Sequence, residues 1–256
     1  MTTSNPADYR NSQENSIIVP MLPFYPAHKV ANCKAMNWTI PNILTAIRLV
    51  AAPMVALMFL YFTRPYADWF ALVLFVSAAF TDWLDGYLAR SWRQETKLGA
   101  MLDPIADKAM VVIALMVIIG FSSWSGWLVL PATVILFREV FVSGLREFLG
   151  ETAGTLKVTK LAKWKTTLQM VAIAVLFSQG VFEHYFGMSI MGMDEAMVND
   201  VLLGGEEDYL GLGWKLKGAQ WAGQIGLILL WIAAALTAIT GVDYFRKAIP
   251  YLKDDK

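Results

Sequence analysis

Stretches of roughly 20 apolar residues alternate with short charged clusters along most of this chain. A helix of that length crosses the hydrocarbon core of a bilayer with every backbone hydrogen bond made inside the segment. Six such stretches predict membrane-spanning helices at residues 41–62, 69–89, 105–121, 124–145, 164–182 and 221–240. The predicted fold class is therefore all-α, a polytopic membrane protein built as a bundle of six transmembrane helices.

Composition supports a membrane protein and excludes several other classes. Hydrophobic residues make up 57% of the 256 residues and charged residues 16%, whereas soluble domains carry about 25% charged residues. The 21 basic and 21 acidic side chains cancel, so the basic excess typical of nucleic-acid-binding proteins is missing. The single cysteine, Cys33, excludes an internal disulfide framework and a cysteine-rich metal site. We expect membrane lipids as the surroundings and no nucleic acid as partner.

Positive charge is unequally divided between the two predicted sides of the membrane. The basic clusters predicted to share one side are Arg10, Lys29 and Lys34; Arg90, Arg93 and Lys97; Lys157, Lys160 and Lys163; and Arg246, Lys247 and Lys253. The other side carries an acidic loop at 184–218. Because basic residues favour cytosolic loops, we predict that both termini are cytosolic.

This topology divides the chain into three parts. Residues 1–36 are predicted to form a cytosolic leader, in which segment 17–26 either lies on the membrane surface or belongs to a floppy tail. Residues 37–250 form the membrane domain, whose 184–218 loop is extracytoplasmic, and residues 251–256 form a C-terminal tail.

Four aspartates lie near the predicted cytosolic ends of the second and third spans. Asp82 and Asp85 are three residues apart, and Asp103 and Asp107 are four apart. On helices each pair faces one direction, and the short link between the spans makes the two helices neighbours. We therefore expect the four carboxylates to converge at the cytosolic end of the bundle.

Such a cluster indicates bound metal, because four adjacent anions repel unless something neutralises them. Oxygen-only ligands suit Mg²⁺ or Mn²⁺, and a pair of ions can clamp both oxygens of a phosphoryl transfer. Gly86 and Ala89 leave room for a flat base or a phosphate, and Arg90 can pair with a diphosphate. The alternative is that these are solvating charges and helix-packing small residues, which the whole spacing pattern disfavours.

The spacing resembles the signature of the CDP-alcohol phosphotransferases, D-x2-D-G-x2-A-R-x8-G-x3-D-x3-D, at residues 82–107. The resemblance implies that the four aspartates hold two metal ions and that Asp107 also acts as general base. It implies that Gly86, Ala89 and Arg90 hold the cytidine diphosphate, and that the protein is a homodimer.

Four further segments narrow the resemblance to the phosphatidylglycerophosphate synthases of this family: residues 37–48, 137–148, 163–170 and 243–246. This implies a bacterial inner-membrane enzyme of phosphatidylglycerol and cardiolipin synthesis. Its expected substrates are CDP-diacylglycerol and sn-glycerol 3-phosphate, whose 1-hydroxyl receives the phosphatidyl group with release of CMP. Alternatives are another acceptor (inositol phosphate, serine or phosphatidylglycerol), a divalent-cation transporter, or a structural membrane protein.

A small dianionic acceptor needs fixed cations. Arg138 and Arg146 are eight residues apart on the fourth span and point to roughly one side. The alternative for Arg138 is an ion pair with Glu139 or Asp243. Lys163 and Lys165 open the fifth span, and being two apart they cannot both point into one pocket. We predict that Lys165 faces the acceptor, with Lys163 at the rim.

A polar strip marks the first span, where Asn42, Thr45 and Arg48 recur every three residues. Asn42 and Thr45 are predicted to line the nucleotide site. Hydrogen bonds between helices explain the strip equally well, and the sequence leaves both interpretations open.

Overall fold

The computed structural model describes residues 39–92, 96–122, 125–150 and 160–252. In these ranges the chain is helical and forms no strand, which confirms the all-α class. The helices are α1 (Ile40–Tyr61), α2 (Tyr66–Trp92), α3 (Lys97–Phe121), α4 (Gly126–Leu149), α5 (Lys160–Ser189), α6 (Glu195–Leu203) and α7 (Leu212–Leu252).

Five of these helices contain segments long and apolar enough to cross a membrane. The segments are Asn42–Tyr61, Leu98–Phe121, Gly126–Leu149, Trp164–Ser189 and Leu212–Leu252. Helix α2 is not among them on its described residues, so the count of six spans stays a prediction.

Several helices extend beyond the apolar stretches that predict them. Helix α3 begins at Lys97 rather than at residue 105, and Thr96 caps it by accepting a hydrogen bond from the Gly99 backbone N–H at 3.0 Å. Asp103 therefore lies inside the helix. Helix α7 runs for 41 residues, far beyond the predicted 221–240. An apolar stretch predicts only the apolar part of a helix. The polar residues at these helix ends were therefore missed, although the backbone hydrogen bonds continue through them.

The acidic segment 184–218 is largely helical. Helix α5 continues through its first residues to Ser189, and α7 begins inside it at Leu212. Between them lies α6, where the Asp194 side chain accepts a hydrogen bond from the Met197 backbone N–H at 2.7 Å. Local capping therefore gives structure to a segment predicted as a loop.

Alanines let the helices pack closely. Helix α1 packs against α2 and α3, while α5 packs against α2 and α7, and α4 packs against α7. The core alternates these alanines with larger apolar side chains, and its members include Ala52, Ala71, Phe75, Ala114, Leu115, Ile135, Ala172, Ile173, Leu230 and Ala233. Small residues at helix contacts are the usual means of close packing in membranes.

Charged side chains gather at two ends of the assembly formed by α1, α2 and α3. We call the region of Asp82, Asp103 and Asp107 the aspartate end, and the region of Arg64 and Asp68 the Arg64 end. Asp68 and Asp82 both lie on α2, and the helical rise separates them by roughly 20 Å along the axis.

Candidate active site

Three of the predicted aspartates surround one buried arginine at the aspartate end. Arg48 Nη1 donates hydrogen bonds to Asp82 Oδ1 and to Asp107 Oδ1, the second at 2.8 Å. Its Nη2 lies 3.8 Å from Asp103 Oδ1. Helices α1, α2 and α3 thus each contribute to one charge cluster. Asp85 belongs to the predicted set, but its side chain lies outside the described residues.

The cluster has a buried cation and accessible anions. The Arg48 side chain is 3% exposed, whereas the three carboxylates are about half exposed. Three negative charges thus face one guanidinium. A hard divalent cation fits such an excess of carboxylate oxygens.

The described residues include no group of three acidic, histidine or cysteine side chains arranged to hold a metal ion. The Arg48 guanidinium instead lies between the aspartates. Ion binding at this end therefore requires the carboxylates to exchange contacts with Arg48 for contacts with the ion.

Asn42 and Thr45 both make hydrogen bonds between helices. The Asn42 Oδ1 atom accepts from Thr96 Oγ1 at 2.8 Å, and Thr45 Oγ1 donates to Asp103 Oδ1 at 2.6 Å. A Cβ added at Gly99 would lie 2.7 Å from Asn42 Oδ1, so this motif glycine permits the close approach of α1 and α3. Asn42 and Thr45 thus make the hydrogen bonds between helices that the polar strip predicts. Their contact with a nucleotide stays a prediction.

Four other predicted site residues have side chains outside the described part of the chain. Gly86, Ala89 and Arg90 lie on helical backbone of α2, and Lys163 lies in the first turn of α5. Their predicted contacts with cytidine diphosphate and with the acceptor therefore stay predictions.

Two of the predicted acceptor cations meet at one partly buried carboxylate, that of Glu139. Glu139 Oε1 pairs with Lys165 Nζ, and Arg138 Nη1 lies 3.3 Å from the same oxygen. The Lys165 side chain is 7% exposed. Arg146 lies eight residues further along α4. Its guanidinium carbon is 5.3 Å from the centre of the Tyr244 ring. Helices α4, α5 and α7 together build this basic cluster, which we define as Arg138, Arg146 and Lys165.

Lys108 connects α3, which carries Asp103 and Asp107, to α4, which carries Arg138 and Arg146. It directly follows Asp107 on α3, and its Nζ hydrogen-bonds Ser143 Oγ on α4. The Ser143 hydroxyl in turn donates to the backbone carbonyl of Glu139 at 2.5 Å. Helix α3 therefore contacts α4 one residue after Asp107 and four residues after Glu139.

The sequence indicates no role for Lys108, offers Glu139 only as an alternative partner of Arg138, and gives no sign that Arg48 lies at the centre of the aspartates. A usable signal exists for the first two, because each is an ionisable residue inside an apolar segment. For Arg48, helical spacing shows that it shares a face of α1 with Asn42 and Thr45. Spacing does not show which neighbouring helix that face contacts.

Comparisons with known proteins agree on one family. The family profile of the CDP-alcohol phosphatidyltransferases matches residues 38–202. A protein of Cereibacter sphaeroides named CDP-diacylglycerol–glycerol-3-phosphate 3-phosphatidyltransferase is 64% identical over 221 residues, covering 86% of this chain and 100% of the relative. Proteins of the same name from Escherichia coli K12 and Shigella flexneri are 39% identical over 159 residues, covering 60% of this chain and 86% of each relative. The chain therefore belongs to the CDP-alcohol phosphatidyltransferase family.

Proposed function

We propose that this chain transfers the phosphatidyl group of CDP-diacylglycerol to the 1-hydroxyl of sn-glycerol 3-phosphate, giving phosphatidylglycerophosphate and CMP. The observation that carries the proposal is the combination of half-exposed carboxylates on α2 and α3 with a basic cluster whose helix α4 contacts α3 through the Lys108–Ser143 hydrogen bond. The carboxylates suit a metal-bound diphosphate, and the basic cluster suits a phosphate dianion. The names of the bacterial relatives specify the same donor and acceptor.

The donor half of the site lies at the aspartate end. We assign Asp82, Asp85, Asp103 and Asp107 as ligands of two Mg²⁺ or Mn²⁺ ions. Such ions, when bound, neutralise the diphosphate and make CMP a better leaving group. The nucleotide then lies over Gly86 and Ala89, with Arg90, Asn42 and Thr45 along its edge.

The acceptor half is the basic cluster. The phosphate of glycerol 3-phosphate takes the place of the Glu139 carboxylate on Arg138 and Lys165, with Arg146 near and Lys163 at the rim. Asp107 removes the proton of the 1-hydroxyl. The resulting oxygen attacks the phosphorus that carries the diacylglycerol, and the bond from that phosphorus to CMP breaks.

The surroundings of the site complete the proposal. The charge asymmetry of the sequence supports six spans, cytosolic termini and a cytosolic-facing site in a bacterial inner membrane. A homodimer follows from the family resemblance.

The direct test is CMP release from CDP-diacylglycerol by purified protein in detergent. Release is expected only with both glycerol 3-phosphate and Mg²⁺ or Mn²⁺ present. Release without glycerol 3-phosphate, or equal release with inositol phosphate, serine or phosphatidylglycerol, would overturn the acceptor assignment. Metal flux into sealed vesicles without any CMP release would favour a cation transporter instead.

A variant of Lys165 tests the acceptor half. Lys165→Met is expected to raise the KM for glycerol 3-phosphate at least about tenfold, because one charge-assisted contact to the phosphate is lost. The KM for CDP-diacylglycerol should stay unchanged. Lys247→Met is the matched control, since Lys247 is more than a third exposed and pairs with Asp243 on its own helix. Equal KM effects in both variants would contradict the assignment.

A further inference from the structure

Lys108 is a cation inside a membrane-spanning segment, and it has no anionic partner in the part of the chain that the structure describes. It lies in the apolar segment Leu98–Phe121 of α3, and its side chain is partly buried. Its Nζ donates a hydrogen bond to the hydroxyl of Ser143 on α4, which is a neutral group. An ionisable residue inside a membrane segment is costly, so it marks a functional site by default.

The other cations of the active-site region are paired with carboxylates. Arg48 contacts the aspartates, while Arg138 and Lys165 share the carboxylate of Glu139. Lys108 differs from them because its recorded partner carries no charge. An ammonium has three N–H donors, so a single hydrogen bond leaves two of them for another acceptor. An anionic ligand would complete the surroundings of this lysine.

The hydrogen bond to Ser143 brings the Lys108 ammonium to the face of α4 that carries the basic cluster. Ser143 lies four residues after Glu139 and three residues before Arg146, so these three residues are neighbours on the helix surface. The Ser143 hydroxyl also donates to the backbone carbonyl of Glu139 at 2.5 Å. The carboxylate of Glu139 in turn pairs with Lys165, where the acceptor phosphate is proposed to bind.

Lys108 is also the residue next to the proposed general base. It directly follows Asp107 on α3, and the Asp107 carboxylate is about half exposed. Glycerol 3-phosphate carries its reacting hydroxyl and its phosphate at opposite ends of a three-carbon chain. A cation on the same helix as the base can therefore hold the phosphate while the hydroxyl lies at Asp107. Fixing both ends of a reactant in this way lowers the entropic cost of the reaction.

We propose that Lys108 is a further acceptor-binding residue, whose ammonium donates a hydrogen bond to the phosphate of glycerol 3-phosphate. This inference rests on the proposed function, because it adds a residue to the same acceptor site. The competing explanation is a structural one, in which the Lys108–Ser143 hydrogen bond only ties α3 to α4. The two explanations differ in what they require, since the tie needs the Ser143 hydroxyl and the phosphate contact needs the charge of Lys108.

Steady-state kinetics of CMP release separate the two explanations. Lys108→Met should raise the KM for glycerol 3-phosphate at least about tenfold, with the KM for CDP-diacylglycerol unchanged, because a charge-assisted contact is lost. Lys108→Arg keeps the charge and should recover most of that loss. Ser143→Ala is the matched control, because it breaks the same hydrogen bond between helices and keeps the ammonium. Its KM should stay within about twofold of the unmodified value.

Two kinetic results would overturn the proposal. The first is an unchanged KM for glycerol 3-phosphate in Lys108→Met. The second is an equal rise of that KM in Lys108→Met and Ser143→Ala, which would show that the tie between α3 and α4 explains the effect.

Inorganic phosphate tests Lys108 without relying on the proposed reaction. Thermal unfolding of the full chain in detergent is measured with sodium phosphate and with sodium chloride of equal ionic strength. Phosphate should raise the unfolding midpoint of the unmodified chain and of Ser143→Ala more than that of Lys108→Met. No phosphate shift in the unmodified chain, or an equal shift in all three proteins, would overturn the proposal. A shift that depends on Lys108, together with no CMP release by the unmodified chain, would support the phosphate contact and overturn the proposed function alone.

Discussion

The aspartate end and the Arg64 end each contain an arginine paired with aspartate, but the burial of the partners is reversed. Arg48 is 3% exposed and its three carboxylate partners reach toward solvent. Arg64 is 34% exposed and its partner Asp68 is buried. Where the cation is buried, the carboxylates remain accessible to ions and substrate. Where the carboxylate is buried, it is closed off from solvent.

The largest effect should come from Asp107 at the aspartate end. Asp107→Asn removes the proposed general base, and we expect turnover to fall about 10²- to 10⁴-fold. The measurement is CMP formation at saturating substrates and metal. Asp200→Asn, which alters an exposed aspartate on α6, should stay near the unmodified rate. Near-normal turnover of Asp107→Asn with metal bound would refute the base assignment.

A second prediction concerns the arginine at each end. Arg48→Gln removes the charged donor that three half-exposed carboxylates share, so without metal it should lower the free energy of unfolding by about 1.5–3 kcal/mol. Added Mg²⁺ should restore more stability to this variant than to the unmodified chain, because no guanidinium competes for the carboxylates.

The control for that prediction is Arg64→Gln, which alters the other end. Mg²⁺ should give this variant no extra stabilisation relative to the unmodified chain. Thermal unfolding in detergent, with EDTA or with Mg²⁺, measures both variants. Equal Mg²⁺ shifts in the two variants would show that the aspartate end is not where the ion acts.

The aspartate end was more accessible to sequence reasoning than the Arg64 end. The i, i+3 spacing of Asp82 and Asp85 and the i, i+4 spacing of Asp103 and Asp107 predict shared faces on two neighbouring helices. The structure brings Asp82, Asp103 and Asp107 to one guanidinium. Arg64 and Asp68 stand at a span boundary, where charges are ordinary. Only the fold shows that Gly180 of α5 encloses them.

Helix type was predictable, whereas helix length was not. Apolar runs locate the membrane-spanning parts, but α5 and α7 continue through polar sequence because they pack against each other. Helix α6 is bounded by local caps, Asp194 at its start and Gly204 at its end, which the acidic composition of the segment conceals. Arg138 and Lys165 were predicted as separate acceptor cations. Their shared contact with Glu139 depends on the packing of α4 and α5 against α7, which the sequence does not show.

A smaller effect is expected from glycine substitutions. Gly180→Ala places a Cβ 2.5 Å from Asp68 Oδ1, and the overlap should cost about 1–3 kcal/mol. Gly144→Ala on α4 meets no heavy atom within 4 Å and should gain up to about 1 kcal/mol through helix propensity. Thermal unfolding midpoints measure the difference. Opposite signs support the tight enclosure of Asp68, and a neutral Gly180→Ala would contradict it.

The smallest effect is expected at Asp208, before α7 and outside both ends. Its carboxylate accepts hydrogen bonds from the backbone N–H groups of Leu212 at 2.6 Å and Gly213 at 2.9 Å, which lower the pKa of Asp208. A lowered pKa means that the stabilisation is complete above the unfolded value of about 3.9 and is lost as pH falls through the folded value.

Hydrogen exchange of the Leu212 and Gly213 amides, corrected for intrinsic rates, measures this cap. Protection should be constant near neutral pH and should decline below about pH 4. Asp208→Asn should show weaker protection without that acid transition. Identical pH profiles for the two proteins would contradict the capping role.

The length of α7 has a consequence for the shape of the enzyme in its membrane. At 41 residues, α7 is about 60 Å long, twice the thickness of a hydrocarbon core. Fitting it within that core would need a tilt of roughly 60°, well beyond the usual range of up to about 40°. Part of α7 therefore lies outside the hydrocarbon core. The ends of the helix reach the head-group region, where water-soluble reagents have access.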